Sequence, residues 1–412
     1  MSNAPGGNSL DVVVVGAGIG GLAAAVCLRT IGARVTLLEQ ASAIGEVGAG
    51  IQLAPNATRA LAAIGVADRL RPDAVAATRS LRRRWQNGAL LGSYLLGAEI
   101  ERRFGAPYWH AHRVDLHAAL LRAATDPDGA GAPVTLQLGA AVWKVEQDRL
   151  RVSAITTEGA RYPADVLIGA DGIHSRVREM MVGADKPQFS GDVAYRALIP
   201  TDALTADPTM GELTRERALT IWLGPHCHLV HYYVRAGSLL NVVAMVPGEQ
   251  DAPESWSARG DKSELLDALA GWHPTIHKLI SAAPVVNRWA LYDREPLDSW
   301  ILGRIALLGD SCHSMLPYQA QGAAQALEDA LALGKTLQSA TPETVAEALG
   351  VYEAERSVRA SRVQRASRKN REIFHLPDGP QQHQRDAELR HGGADYESYA
   401  WLWSGDHLTE TV

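Results

Sequence analysis

A buried strand that runs straight into a glycine-rich turn constrains this chain more than any other feature. Residues 10–15, Leu-Asp-Val-Val-Val-Val, form a continuous β-branched run. Such a run suits a strand covered on both faces of a parallel sheet. Gly16-Ala17-Gly18-Ile19-Gly20-Gly21 comes next, then a helical stretch over 22–30 and a second strand over 34–38 that ends at Glu39. This is a βαβ unit. Gly16 permits the tight turn, Gly18 lets backbone approach a pyrophosphate, and Gly21 lets helix and strand pack closely. The helix start offers free N–H groups and a positive dipole end to phosphates. Glu39 lies eighteen positions after Gly21. A carboxylate there can accept hydrogen bonds from both hydroxyls of an adenosine ribose and would repel a 2′-phosphate. The pattern predicts a dinucleotide site rather than an empty glycine turn, but alone it does not separate NAD from FAD.

The rest of the chain narrows the class. A length of 412 residues allows two or three domains. Hydrophobic residues at 46% and charged residues at 21% supply a large core and exclude a disordered chain. A formal charge of −6 is small for this size and argues against a nucleic-acid binder. Cys27, Cys227 and Cys312 are odd in number and far apart, which fits a reducing compartment and no disulfide framework. The apolar stretch 12–28 is broken by Gly16, Gly18, Gly20 and Gly21, and only Asp11 carries charge before it. It reads neither as a signal peptide nor as a membrane helix. A soluble, cytoplasmic protein is expected, with residues 1–9 as a loose tail.

Further along, helices are expected over 57–70 and 113–125, and strands within 134–168. Short strands over 193–199, 218–223, 227–235 and 238–246 suggest an antiparallel sheet set into an α/β framework. A helix over 263–272, a buried strand over 304–309 and helices over 322–338 and 343–373 come after it, and the polar tail 377–398 reads as irregular. Arg356, Arg359, Arg362, Arg365 and Arg368 recur every third residue, with Lys369 and Arg371 beside them. No aromatics interleave with these charges, so the stripe reads as a solvated helix face rather than a nucleic-acid or membrane surface.

Two further motifs carry chemistry. Val166-Leu167-Ile168-Gly169-Ala170-Asp171-Gly172 contains a hairpin signal, Asp-Gly. The next residues, including Ser175 to Arg178, are helical in pattern, so the turn reads as a strand-to-helix crossover. Gly303 to Ser311 repeats the theme, with Gly309-Asp310 at the carboxyl end of a strand, where open α/β sheets place ligands. A loop with Pro317 then leads to Gly322-Ala323-Ala324 and a new helix. Asp310 can hold a sugar-like polyol chain. The helix start can face a flavin pyrimidine, which becomes negative on reduction.

Together, in this order and spacing, the three motifs resemble the class A flavoprotein monooxygenases, single-component aromatic hydroxylases with a para-hydroxybenzoate-hydroxylase-like fold. The resemblance covers about residues 10–405. It implies an α/β fold with a Rossmann-like FAD-binding domain (1–75, 105–185 and 290–340). It also implies an inserted antiparallel-sheet substrate domain (76–104 and 186–289) and a C-terminal helix and tail (341–412). The implied FAD contacts are Gly16, Gly18, Gly21, Glu39, Gln40, Val47, Arg113, Asp171, Gly172, Gly309, Asp310, Gly322 and Ala323. Arg113, in HRVDLHAAL, matches an arginine near the FAD diphosphate or ribityl chain, and the loop 46–52 resembles the segment beside the flavin ring. The stretches 292–297, 309–330 and 399–403 resemble the branch of salicylate hydroxylase, 3-hydroxybenzoate 6-hydroxylase and 6-hydroxynicotinate 3-monooxygenase. The family has no separate nicotinamide domain, and no second GxGxxG occurs here. NADH or NADPH is therefore implied as a transient co-substrate that reduces FAD. Oxygen then gives a flavin hydroperoxide that attacks an electron-rich ring carbon of a small aromatic acid. A monomer or homodimer is expected, with no membrane or nucleic-acid partner.

The substrate side centres on Gly224 to Tyr233, which contains His226, Cys227, His228 and His231. A metal site that also draws on Cys312 and His313 is the sharp alternative. Strand alternation splits that ligand set between two faces, so no metal is expected. His228 and Tyr232 share one face, roughly 13 Å apart along the strand, and a ring fits between their side chains. The same His-x-x-x-Tyr pair occurs in relatives acting on 3-hydroxybenzoate and 6-hydroxynicotinate. A phenol must lose or share its proton to become nucleophilic, and histidine suits that task near neutral pH. The bland reading of His228 is a hydrogen-bonded core histidine. His228, Tyr232, Pro317 and Tyr318 are the expected catalytic residues, and Gln52 joins His228, Tyr232 and Tyr318 in substrate contact. Tyr318 and Gln52 each stand where the hydroxynicotinate enzyme has histidine, and the 3-hydroxybenzoate enzyme has glutamine at the position of Pro317. These departures leave salicylate or another hydroxybenzoate as the expected substrate. A hydroxypyridine carboxylate and a non-hydroxylating FAD oxidoreductase are the alternatives. His313 is expected to brace its loop.

Overall fold

Six strands in the order 301–302, 305–307, 166–169, 11–15, 34–38, 135–137 form the first sheet. This is a computed structural model, and it describes residues 10–45, 48–214, 216–249, 258–391 and 396–405. The expected loose tail 1–9 and the cofactor candidate Val47 lie outside the described residues. Apart from the antiparallel pair at one edge, the strands run parallel, with Val12 opposite both Val166 and Val35. Val12, Val13 and Val14 are buried because helices cover both faces, which is why the run is apolar without alternation. The helix Ile19–Thr30 packs against the helix Gly322–Leu337. Gly16 has φ +102°, and a Cβ there would lie 2.4 Å from the Ala170 carbonyl oxygen. A Cβ on Gly21 would lie 1.9 Å from the Gly16 carbonyl oxygen. Only glycine permits this crossing of the first two turns.

A second sheet of seven strands has the order 287–293, 188–200, 239–247, 227–234, 219–224, 79–84, 90–95. One face packs on the helices Lys262–Ala268 and Pro274–Ala282 through Leu229, Tyr233, Leu265 and Ile276. The other face carries His228, Val230 and Tyr232. Because both faces are covered, all eight residues of Cys227–Val234 are buried. Among the described residues, no helix is long and apolar enough to cross a membrane.

Three expectations need correction. The helix over 57–70 is two helices, Pro55–Ala63 and Ala67–Leu70, because Gly65 adopts φ +69° between them. The tail 377–398 is not irregular: it contains the helix Pro380–His391, and Glu397–Trp403 is helical too. The buried face of the first of these helices is polar. Gln382, Arg385 and Asp386 are all buried, and Arg385 Nη1 donates to the Ile373 carbonyl at 2.9 Å. A hydrophobic period cannot reveal such a face.

The third correction concerns the arginine stripe on the helix Val345–Phe374, which is not a solvated face. Three residues advance about 300° around a helix, so each step falls back about 60°. Arg356 points into the protein, Arg365 points away and is exposed, and Arg371 comes back toward the body. Arg356, 1% exposed, donates to Glu328 Oε2 at 2.7 Å, Asp329 Oδ1 at 2.8 Å and Gln325 Oε1 at 2.8 Å. Arg359 holds Glu328 and the carbonyls of Trp401 and Leu402. Arg368 holds Asp293 and Glu295. Removing one partner of a buried ion cluster costs about 3–5 kcal/mol. Arg356→Met is therefore expected to lower urea stability by that amount. Arg365→Met should stay within about 0.5 kcal/mol, as an exposed substitution does. Equal effects would refute the assignment of faces.

Candidate active site

The two sheets face each other across a cavity of about 370 Å³. The three crossover turns form one wall. Gly18 lines it, and a Cβ there would meet nothing within 4 Å, so backbone is open to a ligand. Gly172, Gly309 and Asp310 line it from the second and third turns, and Arg113 from the start of its helix. The Asp310 carboxylate has no hydrogen-bond partner among the described residues. It is exposed toward the cavity, yet the protein packed around it desolvates it and raises its pKa above the ordinary value, with His313 and Arg113 opposing that rise. Gly322 and Ala323 also line the cavity, at the start of a 16-residue helix with no side-chain cap and no acid in its first turn. The first N–H groups of such a helix are free donors.

Other expected cofactor residues do not line this cavity. Gly16 and Gly21 shape the backbone crossing and do not line the cavity. Glu39 bridges the turn, accepting from the Ala17 N–H at 2.9 Å and the Ala41 N–H at 2.8 Å, and Gln40 is exposed. Asp171 is spent on its own helix: its carboxylate accepts from Ser175 Oγ and from the N–H groups of Arg176 (2.7 Å) and Val177 (3.1 Å). It caps Arg176–Val182 instead of reaching the cavity. His313 pairs with Asp329 at 2.6 Å, away from the cavity.

The opposite wall is the second sheet. Register places Met245 beside His228, Val243 beside Val230 and Asn241 beside Tyr232, so these side chains share a face. His231 is on the other face, where it accepts from Trp222 Nε1 at 3.1 Å, so the histidines of 226–231 do not converge. His228 Nδ1 lies 2.8 Å from His375 Nε2. Burial, aided by the charges of His375 and Arg82, holds its pKa well below the usual value, leaving a neutral imidazole at pH 7. Burial raises the Tyr232 pKa. Its ring packs on His110 with centroids 4.4 Å apart, and its hydroxyl bonds to Gln52, which also accepts from the Tyr108 hydroxyl at 2.7 Å. Pro317 and Tyr318 form a short 3-10 turn that lines the cavity. The Tyr318 hydroxyl donates to Asp192, so its ring rather than its oxygen faces the ligand space.

Sequence reasoning missed two cavity arginines, Arg82 and Arg196. Arg196 lies over the Trp289 ring at 3.6 Å, and burial lowers its pKa to about 9. The available signal was a charged residue at an inward position of a strand; for Arg82 the arginine-rich segment 79–84 disguises it as a solvated one, whereas Arg196 stands alone among apolar residues.

Residues 9–367 match the family model of the FAD binding domain. A 3-amino-4-hydroxybenzoate 2-monooxygenase from Streptomyces platensis is 38% identical over 396 residues, 96% of each chain. A 3-hydroxybenzoate 6-hydroxylase from Polaromonas naphthalenivorans is 38% identical over 376 residues, covering 91% of this chain and 90% of that one. The chain belongs to the class A flavoprotein monooxygenases. Klebsiella pneumoniae HpxO, solved with FAD and uric acid, matches the structure at TM-score 0.82 and 28% identity, with 95% of each chain covered. This monooxygenase thus uses FAD. The open backbone at Gly18, the unpartnered Asp310 carboxylate and the uncapped helix start at Gly322 fit a diphosphate, a polyol chain and an electron-rich pyrimidine.

Asp310→Ala should weaken FAD binding at least about tenfold in reconstitution of the apoprotein, the loss of one hydrogen bond to a charged group. Unchanged affinity would place the polyol elsewhere. Stability should also fall in mild acid. Burial lowers the pKa of His110 and His231 to about 3 and of His375 to about 4. Below about pH 6.5 the unfolded chain takes up protons that the folded chain refuses, so stability is full above that pH and declines toward pH 4. Each such histidine adds up to about 1.4 kcal/mol per pH unit. His110→Phe, which removes two ring nitrogens without partners among the described residues, should flatten the decline of melting temperature between pH 6.5 and 4.5. A slope identical to wild type would show that His110 titrates normally.

Proposed function

We propose that this monooxygenase hydroxylates a small aromatic acid that already bears a ring hydroxyl. One observation carries the reading: a buried histidine, His228, and a buried arginine, Arg82, with no carboxylate partner among the described residues, line the same cavity. Arg82 is 8% exposed. It bonds only to neutral oxygens, those of Ser80, Tyr94 and Tyr399, and no carboxylate pairs with it among the described residues. A buried cation without an anion is costly, and a ligand carboxylate would relieve that cost through charge-assisted hydrogen bonds. Arg82 pairs with Ile221 and Ile221 with Val230, two residues from His228. Two strand spacings put these backbones about 10 Å apart, room for a benzoate ring between the side chains.

In this pose the ring hydroxyl faces His228, which accepts its hydrogen and enriches the ring in electrons. Tyr232 and Gln52 orient a further polar substituent, and Pro317 and the Tyr318 ring hold the ring plane. Bound FAD supplies the activated oxygen after reduction by NADH or NADPH. Relatives named for aminohydroxybenzoate and hydroxybenzoate support the substrate class.

A screen of hydroxybenzoates and hydroxypyridine carboxylates should find acids that accelerate NAD(P)H oxidation and are hydroxylated. No response to any of them would sink the proposal. His228→Gln should retain FAD and still oxidise NAD(P)H, but its hydroxylation should drop by about 10²–10⁴, typical of a general base. Tyr232→Phe should show a milder loss. Arg82→Gln should raise KM for the acid about 10–100-fold, the loss of a charged hydrogen bond, and leave the matching phenol unaffected.

A further inference from the structure

Behind His228 stand a second imidazole and a carboxylate that the proposed reaction leaves unused. His228 Nδ1 and His375 Nε2 are 2.8 Å apart, and both rings are buried. On the far side, His375 Nδ1 lies 3.7 Å from Asp192 Oδ2. Asp192 is 1% exposed and is gripped by Arg371 through Nε and Nη2, the latter at 3.0 Å, and by the Tyr318 hydroxyl.

Two neutral imidazoles that share an edge share one proton along it. A carboxylate facing His375 Nδ1 favours the tautomer with hydrogen on that nitrogen. His375 Nε2 is then an acceptor, and His228 must donate from Nδ1. The lone pair of His228 is left on Nε2, which has no partner among the described residues, on a side chain that lines the cavity. The opposite tautomers would set a lone pair against the carboxylate and turn an N–H toward the substrate. The other charged groups near the pair are Arg82, Arg371 and His226. The two arginines only donate, and the exposed His226 reaches His375 through its backbone N–H, which donates to the His375 carbonyl at 3.1 Å. The rings of Tyr318 and Phe374 fill the remaining sides of His228.

We infer that Asp192 and His375 are positioning residues that hold His228 in the tautomer able to accept the substrate's hydroxyl proton. The inference rests on the proposed role of His228. In the step itself, the hydroxyl O–H bond breaks and a new N–H bond forms at His228 Nε2, leaving a phenolate beside an imidazolium whose Nδ1 hydrogen stays directed at His375.

The test uses FAD-loaded enzyme and 4-hydroxy-3-nitrobenzoate, an aromatic acid whose ring hydroxyl ionises with a visible absorbance change. The apparent pKa of the bound probe is read from difference spectra across pH. With wild type it should lie below that of the free probe. His228→Gln and His375→Leu should each raise it by about one unit, a tenfold change in ionisation ratio. His375→Gln, whose side-chain oxygen can still accept from His228 Nδ1–H, should stay close to wild type. Asp192→Asn removes the charge that chooses the tautomer and should reproduce the rise, even if His375→Leu fails to hold FAD. A wild-type titration in both His375→Leu and Asp192→Asn, with His228→Gln shifted, would overturn the positioning role and leave His228 as acceptor. An unshifted His228→Gln, or a wild type that does not bind the probe, would overturn the reading of the site and the inference with it. Equal damage in His375→Gln and His375→Leu would show that tautomer choice is not what His375 supplies.

Discussion

The Asp329 carboxylate ties together the parts on which the site depends. It accepts from the Gly309 N–H at 3.0 Å, from His313 at 2.6 Å and from Arg356 Nε at 2.8 Å. Those donors belong to the third crossover turn, its short helix and the long helix Val345–Phe374, and Asp329 itself lies within Gly322–Leu337. One buried anion therefore fixes where Asp310 stands, where the free N–H groups of Gly322 and Ala323 point, and how the long helix crosses them. Asp329 is 0% exposed, and its neighbours His313 and Arg356 hold its pKa below the ordinary value despite its burial. Excellent geometry is what allows such a cluster to persist in a low-dielectric interior.

The long helix carries this order from the cofactor wall to the substrate wall. Its first buried arginine, Arg356, faces the Asp329 cluster. Four turns later Arg371 grips Asp192, and one residue past the helix His375 meets His228. The same helix anchors the C-terminal segment, since Arg359 holds the carbonyls of Trp401 and Leu402 and Arg362 lies 4.0 Å from the Trp401 ring centroid. That segment brings Tyr399 to Arg82. The partners of His228 and, through Tyr399, of Arg82 are thus set by one rigid element, which favours preorganised electrostatics.

The sequence made the cofactor wall legible because backbone geometry, not side-chain partnership, defines it. A run of valines without alternation reports a strand covered twice, and Gly16 and Gly21 report contacts that a Cβ would break. Alternation put His228 and Tyr232 on one face, and the family resemblance singled them out. Arg82, Asp192 and His375 were not. Their meaning lies in pairings between remote segments: His228 and His375 are 147 residues apart, and Asp192 and Arg371 are 179 apart. No local period encodes such pairs. The arginine stripe misled for a related reason. Its three-residue spacing was visible, but which member meets a buried carboxylate depends on the rotation of the helix against its neighbours. The helix Pro380–His391 was hidden because charged and amide side chains face inward there.

The two walls differ in electrostatic character, and the difference suits the chemistry. On the cofactor side, Asp310 and the start of the Gly322 helix offer an acceptor for hydroxyls and donors for negative charge. On the substrate side, Arg82 and Arg196 supply positive charge while His228 stays neutral. A histidine kept neutral by burial, with His375 and Arg82 beside it, is a weak base. An anionic ligand would shift that balance in part, because a carboxylate on Arg82 would offset one of the charges that add to burial in disfavouring the imidazolium. Binding the acid would therefore strengthen the base that activates it, so the carboxylate contributes to reactivity as well as to affinity. An uncharged phenol would enter the same cavity and meet a poorer base.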